Sequence, residues 1–140
     1  LAVFLPIVAG LCRTIGSQAM ACTLRGLSLC NPAAYVRRQI IKETWLGLLN
    51  GILTGALAGI GMYIIASRHP EYGDAQSLAL VTMLALSLSC MLAALLGAGI
   101  PFLLRKLGFN PAMSANLVMS GLTDMLSIGL FLTVAVAFVL

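Results

Sequence analysis

Four long apolar stretches constrain this chain most: roughly 1–24, 40–66, 77–104 and 114–140. A helix crosses the hydrocarbon core of a bilayer with about 20 apolar residues, and each stretch is long enough. Inside lipid no water reaches the backbone N–H and C=O groups, so only helices and closed barrels can span. A barrel needs many strands of alternating apolar and polar residues, and no stretch alternates in that way. The expected fold class is therefore all-α and integral to the membrane. It is a polytopic bundle of four transmembrane helices, forming one membrane-embedded domain over residues 1–140.

Composition agrees. Hydrophobic residues make up 61% of the chain and charged residues only 9%, against about 25% charged in soluble domains. Mean hydropathy is +1.07, so the expected solvent for most of the surface is the lipid bilayer. The net charge of +4 does not mark a nucleic-acid binder. Aromatics are few, and the basic residues fall between apolar runs instead of forming a stacking surface. The chain opens on Leu1 with no basic segment before the first apolar run. That argues against a signal peptide and predicts a piece of a longer chain. Cys12, Cys22, Cys30 and Cys90 match no zinc spacing and read as small buried hydrophobes.

The links between stretches predict orientation. The first and third hold Arg25, Arg37, Arg38, Lys42, Arg105 and Lys106, whereas the second holds only Arg68. Alternating spans put the first and third links on one side, and the positive-inside rule makes that side cytoplasmic. The second link and the C-terminus are then outside, in what is expected to be a plasma (inner) membrane. If the upstream part of the protein is cytoplasmic, an odd number of helices, most simply one, precedes Leu1.

The second stretch carries Gly47, Gly51, Gly55 and Gly59. Residues four apart share a helix face, and small residues there let helices associate closely in lipid. The ladder is read as a helix-packing device. Pro6 and Pro101 lie within apolar runs, where each is expected to kink its helix by removing a backbone donor.

The fourth stretch carries Asn116, Ser120, Thr123, Asp124 and Ser127 at helical spacing, a single polar stripe. Asp124 falls about 15 Å from Ser114 at about 1.5 Å per residue, near the bilayer middle. A carboxylate there costs about 2.5–3.5 kcal/mol to insert, and an intramembrane acid is a functional candidate by default. It could hold a cation, relay a proton or form an ion pair. The stripe favours a hydrated path, and oxygen ligands suit hard cations such as magnesium. The first stretch offers Arg13, Thr14, Ser17 and Gln18 at similar depth. Glu43, beside Lys42, reads as a solvated interfacial acid, and His69 as an exposed residue of the second link. No nucleophile–base pair, phosphate-binding glycine loop or histidine cluster appears, so no enzyme is expected.

Several blocks resemble the membrane domain of the MgtE magnesium transporter family. They are "FLPIVAG…GSQA" at 4–19, "TLRGLSL" at 23–29, "RRQIIKETWLGLLNGILTGALAGIG" at 37–61 and "LLRKLGFNPAMSANLVMSGLTDMLSIGLF" at 103–131. The last is the most specific, with Lys-Leu-Gly, Asn-Pro-Ala and Leu-Thr-Asp at the family's spacing. The resemblance implies that the four stretches are the second to fifth of five helices. It implies a homodimer with an ion path along the subunit interface, and cytoplasmic regulatory domains on the same or another chain. Asp124 takes the position of the family's metal-binding carboxylate, and two copies would pair two acids on one cation, as acid rings do in cation channels. Gly10, Gly16 and Gln18 keep the family's register. The family's Gly-Gly-Asn, however, is Cys12-Arg13-Thr14 here, its Gly-Pro is Asn116-Leu117, and its Thr-Thr is Ser120-Gly121.

The expected function is the pore domain of a divalent cation transporter or channel, with Mg2+ as the ion, passed largely hydrated down its gradient. Asp124 is the candidate metal residue. Gly10, Arg13, Thr14, Ser17 and Gln18 are the candidate pore lining from the first stretch, and Asn116, Ser120, Thr123 and Ser127 from the fourth. Arg13 is the odd member, since a guanidinium in a cation path repels the cargo. It has three arrangements open: pairing with Asp124, turning away toward carbonyls freed near Pro6, or moving between the two. Two other functions follow from the same residues. One is a proton-coupled secondary transporter using Asp124; the other is a transport-inactive relative whose cation site Arg13 occupies.

Overall fold

The computed structural model describes residues 4–29, 32–69 and 74–139, without the side chains of 28, 29, 32–35, 111–118 and 139. Four helices follow one another: α1 (Leu5–Leu29), α2 (Pro32–Arg68), α3 (Ala75–Lys106) and α4 (Pro111–Val139). All four are long and apolar enough to cross a membrane, and no strand occurs among the described residues. The chain is an all-α integral membrane protein.

The helices overrun the apolar stretches at several ends. α2 begins at Pro32 and carries Arg37, Arg38 and Lys42, because a helix does not stop where its apolar run stops. Its 37 residues give about 55 Å at 1.5 Å per residue, well beyond a hydrocarbon core of about 30 Å. Proline is favoured at a first helical position, where its missing N–H has no intrahelical partner to lose. Pro6 lies in the first turn of the described part of α1, where a proline's missing N–H costs no intrahelical bond. Pro101 does sit inside α3, fully buried. It denies the Gly97 carbonyl its usual i+4 donor.

The two loop ends of α3 are built by local chemistry. Asp74 caps its N-terminus, taking the Ser77 amide at 3.1 Å and the Ser77 hydroxyl at 2.7 Å. At the other end Gly108 adopts φ +81, and the amides of Leu107, Gly108 and Phe109 return to the carbonyls of Leu103, Arg105 and Leu104. Left-handed glycine turns of this kind end helices. Arg105 also donates to the Leu27 carbonyl at 3.4 Å, where α1 has run out of its own donors.

α3 is the hub. It packs against each of the other helices, whereas α1 and α2 barely meet. Its buried face is mostly small: Ala85, Ser89, Cys90, Ala93, Ala94, Gly97 and Ala98. In lipid, helix association depends on close packing more than on expelling water, and small side chains let backbones approach. The α2 ladder is used here, within the chain. A Cβ on Gly51 would lie 2.8 Å from the Ser87 Cα, one on Gly55 2.8 Å from the Met83 carbonyl, and one on Gly59 3.0 Å from the Ala79 carbonyl. One on Gly47 would run into the Ala94 methyl. α1 meets α3 at a second glycine crossing, where a Cβ on Gly97 would strike the Gly16 carbonyl.

Candidate functional site

α1 and α4 lie side by side on α3, and the candidate site is on the open surface they share. Arg13 lies about 12 Å along α1 and Asp124 about 20 Å along α4, at 1.5 Å per residue. Both are therefore far from the helix ends. The Arg13 Nη2 group is ion-paired with Asp124 Oδ2, and its Nε donates to Oδ1 at 3.4 Å. Of the three arrangements open to Arg13, the structure holds the first. A guanidinium fork on both oxygens of a carboxylate is a charge-assisted, orientation-specific pair.

The pair is not enclosed by the bundle. The Arg13 side chain is 61% exposed and that of Asp124 26%. Along α1, Gly10, Thr14 and Gln18 are exposed as well, with Ser17 half-buried. The Thr14 hydroxyl donates to the Gly10 carbonyl at 2.9 Å and the Ser17 hydroxyl to the Thr14 carbonyl at 2.8 Å. Both hydroxyls are thus satisfied by their own helix, and their lone pairs remain for water or ions. A Cβ at Gly10 would meet nothing within 4 Å, so that surface is open at backbone level too.

The polar stripe of α4 divides. Ser120 is exposed and Asp124 partly so, whereas Thr123 and Ser127 are fully buried. The stripe is about 100° wide at 100° per residue, and the neighbouring helices cover one edge of it. Ser89 of α3 donates to the Ser127 carbonyl at 3.2 Å. The hydroxyls of Thr123 and Ser127 themselves have no hydrogen-bond partner. The side chain of Asn116 lies outside the described residues.

Glu43 corrects its expected setting. It is buried, not solvated, and its Oε1 accepts from Gln39 Nε2 at 2.9 Å, a buried pair within α2. The signal was present in the spacing: Gln39, Glu43 and Gly47 are successive members of the face that continues into the glycine ladder, which packs on α3. His69 is exposed, as expected. The close approach of Gly97 to Gly16 is not legible in the sequence, because it depends on a partner in a distant segment.

Among the described residues no three His, Cys, Asp or Glu side chains come together as a metal-binding group. From this chain, a hard cation on the open surface would meet one carboxylate, Asp124, together with hydroxyls, carbonyls and water. That inventory fits magnesium, which keeps much of its water and needs only one or two carboxylates.

Comparisons with known proteins agree with this frame. A family model described as MgtE, divalent cation transporter, matches residues 5–134. The magnesium transporter MgtE of Enterococcus faecalis is 29% identical over 139 residues, covering 99% of this chain and 29% of that protein. That of Bacillus subtilis is 28% identical over 139 residues, with 99% and 30% covered. That of Thermus thermophilus is 32% identical over 137 residues, with 96% and 28% covered. The chain thus spans under a third of the length of these relatives. The match over nearly all of the four-helix bundle makes this chain a member of the MgtE family of divalent cation transporters.

Proposed function

We propose that the chain is the membrane-embedded ion-transport domain of a longer protein that carries a divalent cation, Mg2+ first, down its gradient. The ion moves largely hydrated along the polar surface of α1 and α4. Asp124 is the carboxylate that holds it, and Arg13 is a tethered cation that the ion must displace. The observation that carries this reading is the Arg13–Asp124 pair, exposed far from the helix ends on two membrane-spanning helices. Lipid does not tolerate such a surface, so water or a second protein must cover it. A homodimer joined across the α1–α4 face meets that need and brings two copies of Asp124 to one path. The glycine ladder of α2, already packed on α3, plays no part in that contact. The first and third links face the cytoplasm of a plasma membrane, and cytoplasmic domains elsewhere in the protein regulate the path.

The fork of Arg13 on Asp124 also favours a second reading, in which the guanidinium is a permanent plug and the protein does not transport. Proteoliposomes holding the intact protein separate the two. Under the first reading, wild type passes magnesium, Arg13→Asn passes it faster, and Asp124→Asn passes none. Under the second, wild type passes none of magnesium, manganese, cobalt or calcium, and Arg13→Asn gains flux. Where the wild type passes magnesium, unchanged flux in Asp124→Asn would reject Asp124 as the holding group.

A further inference from the structure

A groove of about 430 Å³ runs between α2 and α3, lined by Ile41, Trp45 and Leu48 from one and Met91 and Leu95 from the other. No residue of α1 or α4 lines it, so it lies off the surface that carries Arg13 and Asp124. Its size falls in the range of small-ligand sites, about 300–1,000 Å³. Thr44 brings the one hydroxyl in its wall, and that hydroxyl donates to the Ile40 carbonyl of its own helix at 2.7 Å. Trp45 is 61% exposed, and tryptophan favours the headgroup level of a bilayer. Cations gather at one end of the groove. On α2, Arg37 stands one turn before Ile41 on the same face, and Arg38 and Lys42 flank it on the Trp45 side. On α3, Lys106 shares the face of Leu95, about three turns further on. The two helices run antiparallel, with Ala94 beside Gly47 and Ala79 beside Gly59, so Lys106 and Arg37 lie at the same end. All four basic side chains are exposed. Among the described residues none of them has an ion pair or a hydrogen bond. Arg38 and Arg68 are about 45 Å apart along α2 at 1.5 Å per residue, which matches a bilayer of about 40–45 Å with its headgroups. The cluster therefore sits at headgroup level, and the groove runs inward from it. The link at the opposite end, beside a second groove of about 460 Å³ between Tyr63 and Met83, supplies only Arg68.

We propose that this groove holds one acyl chain of an anionic phospholipid, with the lipid phosphate among Arg37, Arg38 and Lys106. Each part of the site selects one part of that molecule. An apolar furrow on two membrane-spanning helices takes a hydrocarbon chain, and uncompensated cations at its headgroup end take a phosphate. Arginine suits phosphate because its planar fork donates two parallel hydrogen bonds. A zwitterionic lipid fills the furrow equally well but brings its own cation to the cluster. A protein helix in the same place would have to carry acids at this depth to meet four positive charges, whereas an anionic lipid always does. Each Lys or Arg near an anionic surface strengthens binding about fivefold. The proposed orientation turns this end to the cytoplasmic leaflet, whose lipids carry negative charge, although the site needs only that anionic lipid reaches that end. The groove lies outside the proposed ion path, so the site is tested by lipid binding alone and does not depend on transport.

The test uses the intact protein in phosphatidylcholine vesicles, with Trp45 fluorescence as the reporter and phospholipids brominated on the acyl chain as quenchers. Trp45→Phe supplies the background to subtract. At equal content, brominated phosphatidylglycerol should quench Trp45 several-fold more effectively than brominated phosphatidylcholine. Arg37→Gln combined with Lys106→Gln should remove most of that preference. Thr44→Phe, which fills the groove and leaves the charges, should remove it too. Equal quenching of wild type by the two lipids overturns the proposal without relying on any variant. A preference that survives the loss of both charges overturns it as well. A preference unchanged in Thr44→Phe shows anionic lipid gathering at the charged end without entering the groove, and a Trp45 that neither lipid quenches is covered by protein; either result removes the site.

Discussion

Arg13 of α1 and Asp124 of α4 form a forked ion pair on the open surface of the bundle, joining two helices through their only charged side chains at that depth. Removing either partner leaves an unmatched charge where lipid or a confined path surrounds it. Asp124→Asn should therefore lower the melting temperature, and adding Arg13→Asn should recover most of the loss. The double-mutant cycle isolates the pairwise part. Losses from the two single changes that simply add would show that the pair contributes nothing.

Gly97 is the tightest point of the α1–α3 contact, with the Gly16 backbone directly against it. Gly97→Ala puts a methyl group into that backbone, which cannot move aside as a flexible side chain would. Overpacking of this kind costs about 1–3 kcal/mol, read as a lower melting temperature or denaturation midpoint. Gly10→Ala is the control, since its new methyl group meets nothing within 4 Å. It should not destabilise, and alanine's better helix propensity favours it by up to about 1 kcal/mol.

Glu43 and Gln39 are buried together and satisfy one another. Glu43→Ala strands the Gln39 amide, at about 1–3 kcal/mol for a buried donor left without its partner. Replacing both, as Gln39→Leu with Glu43→Leu, removes the polar pair entirely and should come close to wild-type stability. Chemical denaturation in detergent measures both. A double variant that is less stable than Glu43→Ala would show that the pair has a further partner.

Asp74 sets a pH dependence for the N-terminus of α3. The Ser77 hydroxyl, and then the Ser77 amide, hold its carboxyl below the usual carboxylate range. A folded-state value below the unfolded one stabilises above the unfolded value, near 3.9 for aspartate, and the effect is lost as pH falls through the folded value. The melting-temperature gap between wild type and Asp74→Ala should be constant from pH 7 to about 5 and shrink below pH 4. Ser77→Ala should narrow the gap in the same window. A gap that is flat down to pH 2 would remove Asp74 as an ionised cap.

Much of this architecture is local and therefore legible. The four spans follow from the length of each apolar run against the bilayer thickness. The glycine ladder of α2 follows from a four-residue spacing on one face. The depth of Asp124 follows from the rise per residue. None of these needs a second segment. Helix ends are less legible at Pro32 and Leu29, because the chain goes on coiling where the lipid ends. The burial of Glu43 is hidden for a related reason. Its charge and its neighbour Lys42 suggested water, whereas the face it shares with Gly47 turned it toward α3.

What the sequence determined by itself was the number of spans, their order, and the angular position of each polar residue on its own helix, since a repeat of 3.6 residues fixes direction around one axis. The tertiary structure decided what each direction meets. It turned Thr123 and Ser127 inward while leaving Ser120 and Asp124 on the open face, and it set Arg13 on Asp124. Those outcomes depend on how closely two backbones approach, and that distance is set by pairs such as Gly16 and Gly97, whose effect exists only once both helices are in place.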